Sequence, residues 1–177
     1  MTSSGHEERG VVEGHFRSVM GCFVTGVTVI SVGGEWVHGM TANAFTSVSL
    51  EPPMVLACVA DTARMNRCIE QQGSFGVSVL SQEQHSTARL FARPAREHGL
   101  PQFDEVGWHP GPVTGAPLID SALAWLECDV VQAYPGGDHV IYVGRVLGCV
   151  IGAPGAPLTF WNGRLGAGAP AEGTLSH

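Results

Sequence analysis

Residues 39–53 (GMTANAFTSVSLEPP) concentrate small and hydroxyl-bearing side chains between two apolar stretches of the chain. Small side chains leave room for a flat ligand to approach the backbone closely. Backbone N–H groups and the hydroxyls of Thr and Ser can bind the polar edge of such a ligand or a phosphate. The segment therefore predicts a small-molecule binding loop, and a plain Ser/Thr-rich connection before an apolar strand is the alternative interpretation.

Two further segments carry groups suited to anion binding and hydrogen bonding. Residues 58–64 (CVADTAR) connect a predicted strand to a predicted helix, whose free N–H groups and positive dipole end attract anions. Gly137, Asp138 and His139 occupy a predicted hairpin turn, where the carboxylate can orient the turn or the imidazole. An ordinary strand–helix connection and a capped turn are the structural alternatives for these two segments.

The composition limits the class of protein and of partner. With 177 residues, the chain is expected to form one domain. Because 44% of the residues are hydrophobic and only 14% are charged, we expect it to bury additional apolar surface in an oligomer. A net charge of −7 argues against a nucleic-acid partner, because phosphate backbones require basic patches. No apolar run is long enough to span a membrane, so no membrane association is expected.

Neither a metal site nor a disulfide framework is expected. The five cysteines include no C-x-x-C pair, and the histidines show no metal-ligand spacing. Free thiols are typical of a reducing compartment, so we expect a cytoplasmic protein. Residues 1–14 lack a signal-peptide pattern and are expected to form a disordered arm, residues 15–165 the single domain, and residues 166–177 a loose tail.

The elements that must position these residues are mostly short strands. The apolar patterns predict strands at residues 23–32, 35–41, 54–60, 75–80, 122–134, 139–151 and 158–161, helices at residues 62–72 and 81–91, and a long loop at residues 93–117. Thr62 is the expected N-cap of the first helix, Gly73 its stop, and Ser81 with Gln84 a capping box for the second. The continuous apolar run at residues 54–60 predicts a strand buried on both faces. This pattern predicts a mainly β fold, a closed or nearly closed β-barrel with a few helices.

The order of residues in the 39–53 loop closely resembles the flavin-binding loop of the short-chain flavin reductases. The resemblance runs from about Phe16 to Gly163 and includes the segments at residues 89–93, 137–139 and 160–163. It implies an FMN-binding split β-barrel that forms a homodimer, with flavin bound near the subunit interface. The matching segments at residues 16–17 and 25–28 are interpreted as structural.

The resemblance also implies roles for individual residues. The implied flavin-binding residues are Met40, Thr41, Ala42, Asn43, Thr46, Ser47, Val48, Cys58, Val59, Thr62, Ala63, Arg64, Phe91, Ala92 and Arg93. Thr41, Ala42 and Asn43 would line the isoalloxazine edge, whereas Thr46, Ser47 and Val48 would bind the ribityl chain and phosphate. Arg89 or Arg93 would neutralise the phosphate. The implied catalytic pair is His139, which helps to receive the nicotinamide, and Asp138, which orients the turn or the imidazole.

Three positions depart from the family pattern. Ala63 stands where the family usually has Ser, which removes one hydroxyl ligand of the phosphate. Gln102 replaces a basic residue and could shift the preference between FMN and FAD, and Asn162 replaces a common Arg.

The resemblance implies an NAD(P)H-dependent flavin reductase. Either FMN or FAD would be reduced with NADH or NADPH, and the reduced flavin would diffuse to a flavin-dependent oxygenase or halogenase. One alternative is a flavoprotein with tightly bound flavin that acts on a small organic substrate. The other is a non-catalytic split barrel that binds flavin or haem.

Overall fold

The computed structural model describes residues 12–94 and 97–167, which are dominated by antiparallel strands. The α-helices are α1 (Glu13–Gly21), α2 (Arg64–Gln72) and α3 (His85–Ala92). The strands are β1 (Thr25–Gly26), β2 (Thr28–Val32), β3 (His38–Ala42), β4 (Phe45–Leu50), β5 (Pro53–Ala60), β6 (Ser74–Val79), β7 (Trp108–Pro110), β8 (Pro117–Ile119), β9 (Ala124–Pro135), β10 (His139–Ile151), β11 (Leu158–Trp161) and β12 (Arg164–Ala167).

Seven strands form one antiparallel sheet in the order β3-β2-β6-β9-β10-β5-β4. Strands β3 and β4 lie at opposite edges of this sheet, yet only Asn43 and Ala44 separate them in sequence. So short a connection requires the two edges to approach each other. The sheet therefore curls into a barrel with an open seam at Asn43 and Ala44, and the predicted mainly β barrel is confirmed.

Two apolar clusters hold the barrel together. The first fills the barrel interior with side chains from six of its strands, and Met65, Cys68 and Ile69 of α2 close one end. The second packs the outer side of β2 against α3 and the segments around Phe103 and Ile119. Strand β2 is therefore buried along its whole length, which makes it the centre of the hydrophobic core.

The local sequence signals predict most elements well. Strands β6 and β11 and the long β9–β10 hairpin lie where they are expected, within one or two residues at each end. Gly73 ends α2 with φ +71°, a left-handed conformation that glycine adopts without strain. Ser81 and Gln84 form the expected capping box, although it opens a 3₁₀ turn that precedes α3.

Five element predictions are wrong. The binding loop expected at residues 39–53 consists mostly of the end of β3, all of β4 and the first residue of β5. The strand expected at residues 35–41 begins only at His38, because a 3₁₀ turn occupies residues 34–36. The strand expected at residues 23–32 is split, because the Val27 backbone bonds Leu158 and Leu80 where the chain passes between two sheets. Thr62 is not an N-cap, since α2 begins at Arg64 behind Ala63, which has no side chain that could cap it. The loop expected at residues 93–117 contains a short 3₁₀ turn and strand β7.

The prediction that residues 54–60 are buried on both faces is also wrong. Val55, Ala57 and Val59 face the barrel interior and are at most 4% exposed. The alternate residues, such as Leu56 and Cys58, are only half-buried. The outer face of β5 is apolar because it borders a cleft.

The expected domain boundaries differ slightly from the helix and strand ends. Glu13 and Gly14, assigned to the arm, begin α1, and Gly166 and Ala167, assigned to the tail, belong to β12. The rest of the arm up to residue 11, and the tail from residue 168 onward, lie outside the described residues. No helix in the described part of the chain is long and apolar enough to cross a membrane.

Candidate functional site

A cleft of about 580 Å³ lies at the barrel seam. Its first wall comes from β4, β5 and the seam connection, through Asn43, Ala44, Phe45, Thr46, Leu56 and Cys58. Its second wall comes from α1, β1 and the β11–β12 turn, through Arg17, Met20, Gly21, Phe23, Thr25, Phe160, Asn162 and Gly163. A largely apolar cleft with a few polar groups is the usual form of a small-molecule site.

The first wall follows from strand alternation along β5. Because successive side chains point to opposite faces, the residues that fill the barrel alternate with Leu56 and Cys58, which face the cleft. The Cys58 N–H donates to the Ala44 carbonyl at 3.0 Å, which holds β5 against the seam connection. Burial raises the pKa of the Cys58 thiol above its usual value.

A smaller cavity of about 170 Å³ adjoins the cleft on the side of α3. Asn43 and Phe160 line both spaces. Thr41 and Arg89 also line this cavity, and the Thr41 hydroxyl donates to the Ala88 carbonyl at 2.7 Å. A ligand that bridges the two spaces would therefore pass the amide of Asn43, which can both donate and accept hydrogen bonds.

His139 lies on the same sheet face as the cleft side of β5. His139 pairs with Ala60 in the sheet, and Ile141, two residues along β10, pairs with Cys58. The Asp61 N–H also donates to the Asp138 carbonyl at 3.0 Å. These bonds fix the tip of the β9–β10 hairpin beside the strand that borders the cleft.

Asp138 orients the half-exposed His139 ring. His139 Nδ1 and Asp138 Oδ1 lie 2.7 Å apart, so the opposite ring nitrogen, Nε2, is directed away from the carboxylate. The hydrogen bond from His139, and then its charge, lower the pKa of the Asp138 carboxyl. The positive charge of Arg17 makes the smallest contribution in the same direction.

The structure brings only part of the predicted flavin set to the two spaces. Asn43, Thr46 and Cys58 line the cleft, and Thr41 and Ala92 line the adjoining cavity. Ser47 and Val48 are exposed on the edge strand β4, beyond Thr46. Thr62, Ala63 and Arg64 lie at the start of α2, beside the hairpin tip.

Other predicted side chains face away from the cleft. Val59 and Phe91 are 0% exposed and belong to the two cores, so only their backbone atoms could meet a ligand. Ala42 is likewise buried, and Met40 packs against the barrel interior.

Arg89 of α3 and Arg93, which follows the last residue of that helix, line different spaces. Arg93 lines a separate polar depression together with Glu105 and Asp120, whereas Arg89 lines the cavity next to the cleft. The structure therefore favours Arg89 over Arg93 as the arginine near a ligand at the seam.

Sequence reasoning missed the part of the second wall that comes from α1 and β1, whereas the 160–163 segment that it did single out supplies Phe160, Asn162 and Gly163. Thr25 was assigned a structural role, but it lines the cleft, and its Oγ1 is buried without a hydrogen-bond partner in the described structure. Arg17 is the one charged side chain among the described residues that line the cleft. Both residues lie in segments that resemble the family, but the sequence gives no sign that they line a cleft, because the wall forms only when α1 and β1 come to lie opposite β4.

The cleft and its side chains fit a flavin. The apolar walls suit an aromatic ring system, and the exposed Asn43 amide suits its polar edge. Residues 20–169 match the family model described as the flavin reductase like domain. The chain belongs to this family.

Known relatives agree in sequence and in fold. An "NADH-dependent FAD reductase" of Streptomyces globisporus is 47% identical over 154 residues, which cover 87% of this chain and 85% of the relative. The solved structure of BorF, the flavin reductase component of a bacterial two-component tryptophan halogenase, is 45% identical with a TM-score of 0.84, covering 88% of this chain and 98% of BorF. The S. globisporus NADH:FAD oxidoreductase SgcE6, solved with NAD and FAD fragments, is 43% identical with a TM-score of 0.84, covering 93% and 99% of the two chains.

Flavin is expected to protect Cys58 of this flavin reductase-like domain from alkylation. Cys58 lines the cleft, whereas Cys149 is exposed near the far end of β10 and serves as an internal control. Because the pKa of Cys58 is raised, its thiolate fraction is small at neutral pH, and its alkylation should accelerate as the pH rises. Iodoacetamide labelling with and without FMN or FAD, read by mass spectrometry, measures both effects.

Equal labelling of Cys58 with and without saturating flavin would contradict a flavin site in this cleft. Cys128 is a second internal reference, because burial raises its pKa to about 12 and it should stay unlabelled in the folded protein.

Proposed function

We propose that this chain is an NADH-dependent flavin reductase that transfers a hydride to FMN or FAD and releases the reduced flavin. The observation that carries the proposal is the seam cleft, where the Asn43 loop and the outer face of β5 meet beside His139. Membership of the flavin reductase family and the NADH-dependent relative support the choice of hydride donor.

The protein's contribution to this reaction is position. Bound flavin supplies a ring nitrogen that accepts a hydride, and the nicotinamide supplies that hydride, so no protein base is required. The apolar walls of the cleft would hold the flavin ring, and a nicotinamide bound against that ring would transfer its hydride in an effectively intramolecular step. His139, oriented by Asp138, positions the nicotinamide from the hairpin tip.

We assign flavin binding to two groups of residues around the seam. Thr41, Asn43 and the backbone of Ala42 border the ring, and Thr46, Ser47 and Val48 follow the ribityl chain along β4. Their position at the open edge of the barrel supports this assignment. Arg89 is the arginine we assign to the phosphate, because it shares a cavity with Thr41 and Asn43.

We further propose that the protein works as a homodimer. No residue of α1 is buried, and Phe16, Val19 and Met20 leave apolar side chains about half exposed beside the cleft. Such a patch next to a binding site is typical of a surface covered by a partner. A second copy over α1 would extend the walls of the cleft.

Reduced flavin is the proposed product supplied to a partner oxygenase or halogenase by diffusion. The cleft is open to solvent along the seam, which suits release of a product at each turnover. We place the enzyme in the cytoplasm, because all five cysteines are free, as expected in a reducing compartment.

Anaerobic oxidation of NADH and NADPH by the purified protein tests the function. The rate should be negligible without flavin and should follow the concentration of added FMN or FAD far beyond the enzyme concentration, with reduced flavin accumulating. A stoichiometric burst that then stops would indicate a bound prosthetic flavin instead. Flavin binding without consumption of either nucleotide would leave a binding protein and overturn the reductase.

A further inference from the structure

We propose that the outer face of β9 and β10 carries a second small-molecule site, which binds a protonated amine with a small apolar body. The site is a cavity of about 320 Å³, lined by these two strands and by the β7–β8 hairpin. It shares no lining residue with the seam cleft or with the cavity beside that cleft. The inference therefore does not depend on the proposed flavin reduction.

The register of β9 and β10 brings an aromatic ring and a carboxylate to the floor of the cavity. Because side chains alternate along a strand, Trp125 and Glu127 of β9 point to the same face of the sheet. Val150 and Gly148 of β10 lie opposite these two residues in the register. Since Gly148 has no side chain, open space remains beside the Glu127 carboxylate.

The Glu127 side chain is buried, and only one of its two carboxylate oxygens is hydrogen-bonded. The residue is 4% exposed. Its Oε1 atom accepts hydrogen bonds from the Val113 N–H at 3.0 Å, the Thr114 N–H at 2.7 Å and the Thr114 hydroxyl at 2.8 Å. The second oxygen, Oε2, accepts no hydrogen bond from the described residues, although it is not sealed from solvent. Because a buried charge is costly unless it is paired, a donor that enters the cavity would stabilise this oxygen.

The charges around the cavity favour a cation. Glu127 is the one acidic residue, and no Lys or Arg is present, among the described residues that line it. The His109 ring in the same lining is paired with the Asp120 carboxylate, Nδ1 and Oδ1 being 2.7 Å apart. A carboxylate accepts its strongest hydrogen bonds from charged donors such as an ammonium group. The described residues contain no group of three His, Cys, Asp or Glu side chains that could hold a metal ion, so the cation is an organic one.

The remaining walls limit the body of the ligand to a small apolar group. Pro112, Leu118 and Val150 are apolar, and the Trp125 indole is fixed by its Nε1–H, which donates to the Ile119 carbonyl at 2.8 Å. An indole favours contact with another ring and with a nearby positive charge. A volume of about 320 Å³ is near the lower end for ligand pockets and suits one ring with a short amine chain.

Phenethylamine, a phenyl ring on a short ammonium chain, is the probe for this site. Its neutral and anionic analogues, 2-phenylethanol and 3-phenylpropionate, keep the ring and change the charge. Each compound is titrated into the flavin-free, full-length protein while the backbone amide NMR signals are recorded. The signals of Val113, Thr114 and Gly148 report on the cavity, and the signal of Asn43 reports on the seam cleft.

Three variants accompany the native protein. Glu127→Gln keeps the shape of the side chain and removes its charge. Gly148→Val fills the open space, since a Cβ at this position would meet only Val113 Cγ2, at 3.6 Å, which is an ordinary contact. Asp129→Asn is the matched control, because Asp129 follows Glu127 on the same face of β9, pairs with Arg145 and does not line the cavity.

Phenethylamine should shift the cavity signals to saturation with a Kd on the order of 1 mM and leave the Asn43 signal unchanged. Both analogues on the native protein, and phenethylamine on Glu127→Gln, should bind at least about tenfold more weakly, because a charge-assisted hydrogen bond is lost. Gly148→Val should abolish the shifts. Asp129→Asn should keep the Kd within about twofold, since a charge outside the cavity is screened by solvent.

The inference is overturned if 2-phenylethanol binds as tightly as phenethylamine, or if Glu127→Gln leaves the Kd unchanged. It is also overturned if no signal saturates, since Oε2 would then be bound by water only, or if the shifts occur at Asn43 alone. Should Glu127→Gln fail to fold, the three compounds on the native protein and phenethylamine on Gly148→Val still decide the question.

Discussion

Replacement of His139 by alanine should lower kcat/KM for NADH by on the order of 100-fold while the flavin Kd stays unchanged. The imidazole is held by Asp138 at 2.7 Å, at a hairpin tip that is itself fixed to β5 through Asp61. Removing it deletes the group that positions the nicotinamide and leaves the flavin-facing seam intact. Because the His139 side chain is 41% exposed, little loss of stability accompanies the change.

The chain offers a matched control for this experiment. His109 and Asp120 form a second histidine–aspartate pair, also 2.7 Å apart, and neither residue lines the seam cleft. His109→Ala should therefore leave the kinetics unchanged, and Asp138→Asn should give an intermediate loss because the ring remains but is less well oriented. An H139A protein with normal kcat/KM for NADH, or one whose flavin Kd rises in parallel, would contradict the positioning role.

Replacement of Phe91 by alanine should reduce the free energy of unfolding by about 3–5 kcal/mol in the absence of flavin. The Phe91 ring is 0% exposed, lies with its centroid 5.0 Å from that of the tilted Phe103 ring and packs closely against Gly39. Because a domain of this kind is stable by only about 5–15 kcal/mol, the loss is a large share of the total. Urea denaturation of the flavin-free protein measures the effect.

Conservative and exposed substitutions separate a core role from a flavin-binding role. Phe91→Leu should recover much of the lost stability, and Leu100→Ala, at a side chain that is 51% exposed, should cost well under 1 kcal/mol. A Phe91→Ala protein of normal stability but with weakened flavin binding would instead make Phe91 a ligand contact, as the sequence resemblance implies.

The confirmed predictions of secondary structure concern features that a few neighbouring residues encode. Alternation of apolar and polar side chains predicted the β9–β10 hairpin, Gly73 predicted the end of α2, and Ser81 predicted the capping box. Each signal acts over one turn or one strand, so the local sequence contains all of its physical cause. The order of residues in segment 39–53 similarly identifies the family, and the match to the family model confirms it.

Whether a side chain faces the core or the cleft depends on elements that are distant in sequence. The apolar run of β5 predicted burial on both faces, because sequence cannot distinguish a core from the wall of an apolar cleft. The sequence does not distinguish Arg89 from Arg93 as a phosphate ligand. Only the tertiary packing places Arg89 at the cavity next to the cleft and Arg93 at the separate polar depression.

The sequence by itself determined the family, the barrel class and one segment, residues 39–53, that lines the cleft, since these depend on residue order and local pattern. The tertiary structure alone decided that this segment is mostly strand and which of its residues face the cleft. It also decided that Thr25 and Arg17 complete the second wall, opposite Asn43. The physical reason is that the cleft exists only where the two edges of the curled sheet meet α1 and β1, and no short segment of the chain contains that juxtaposition.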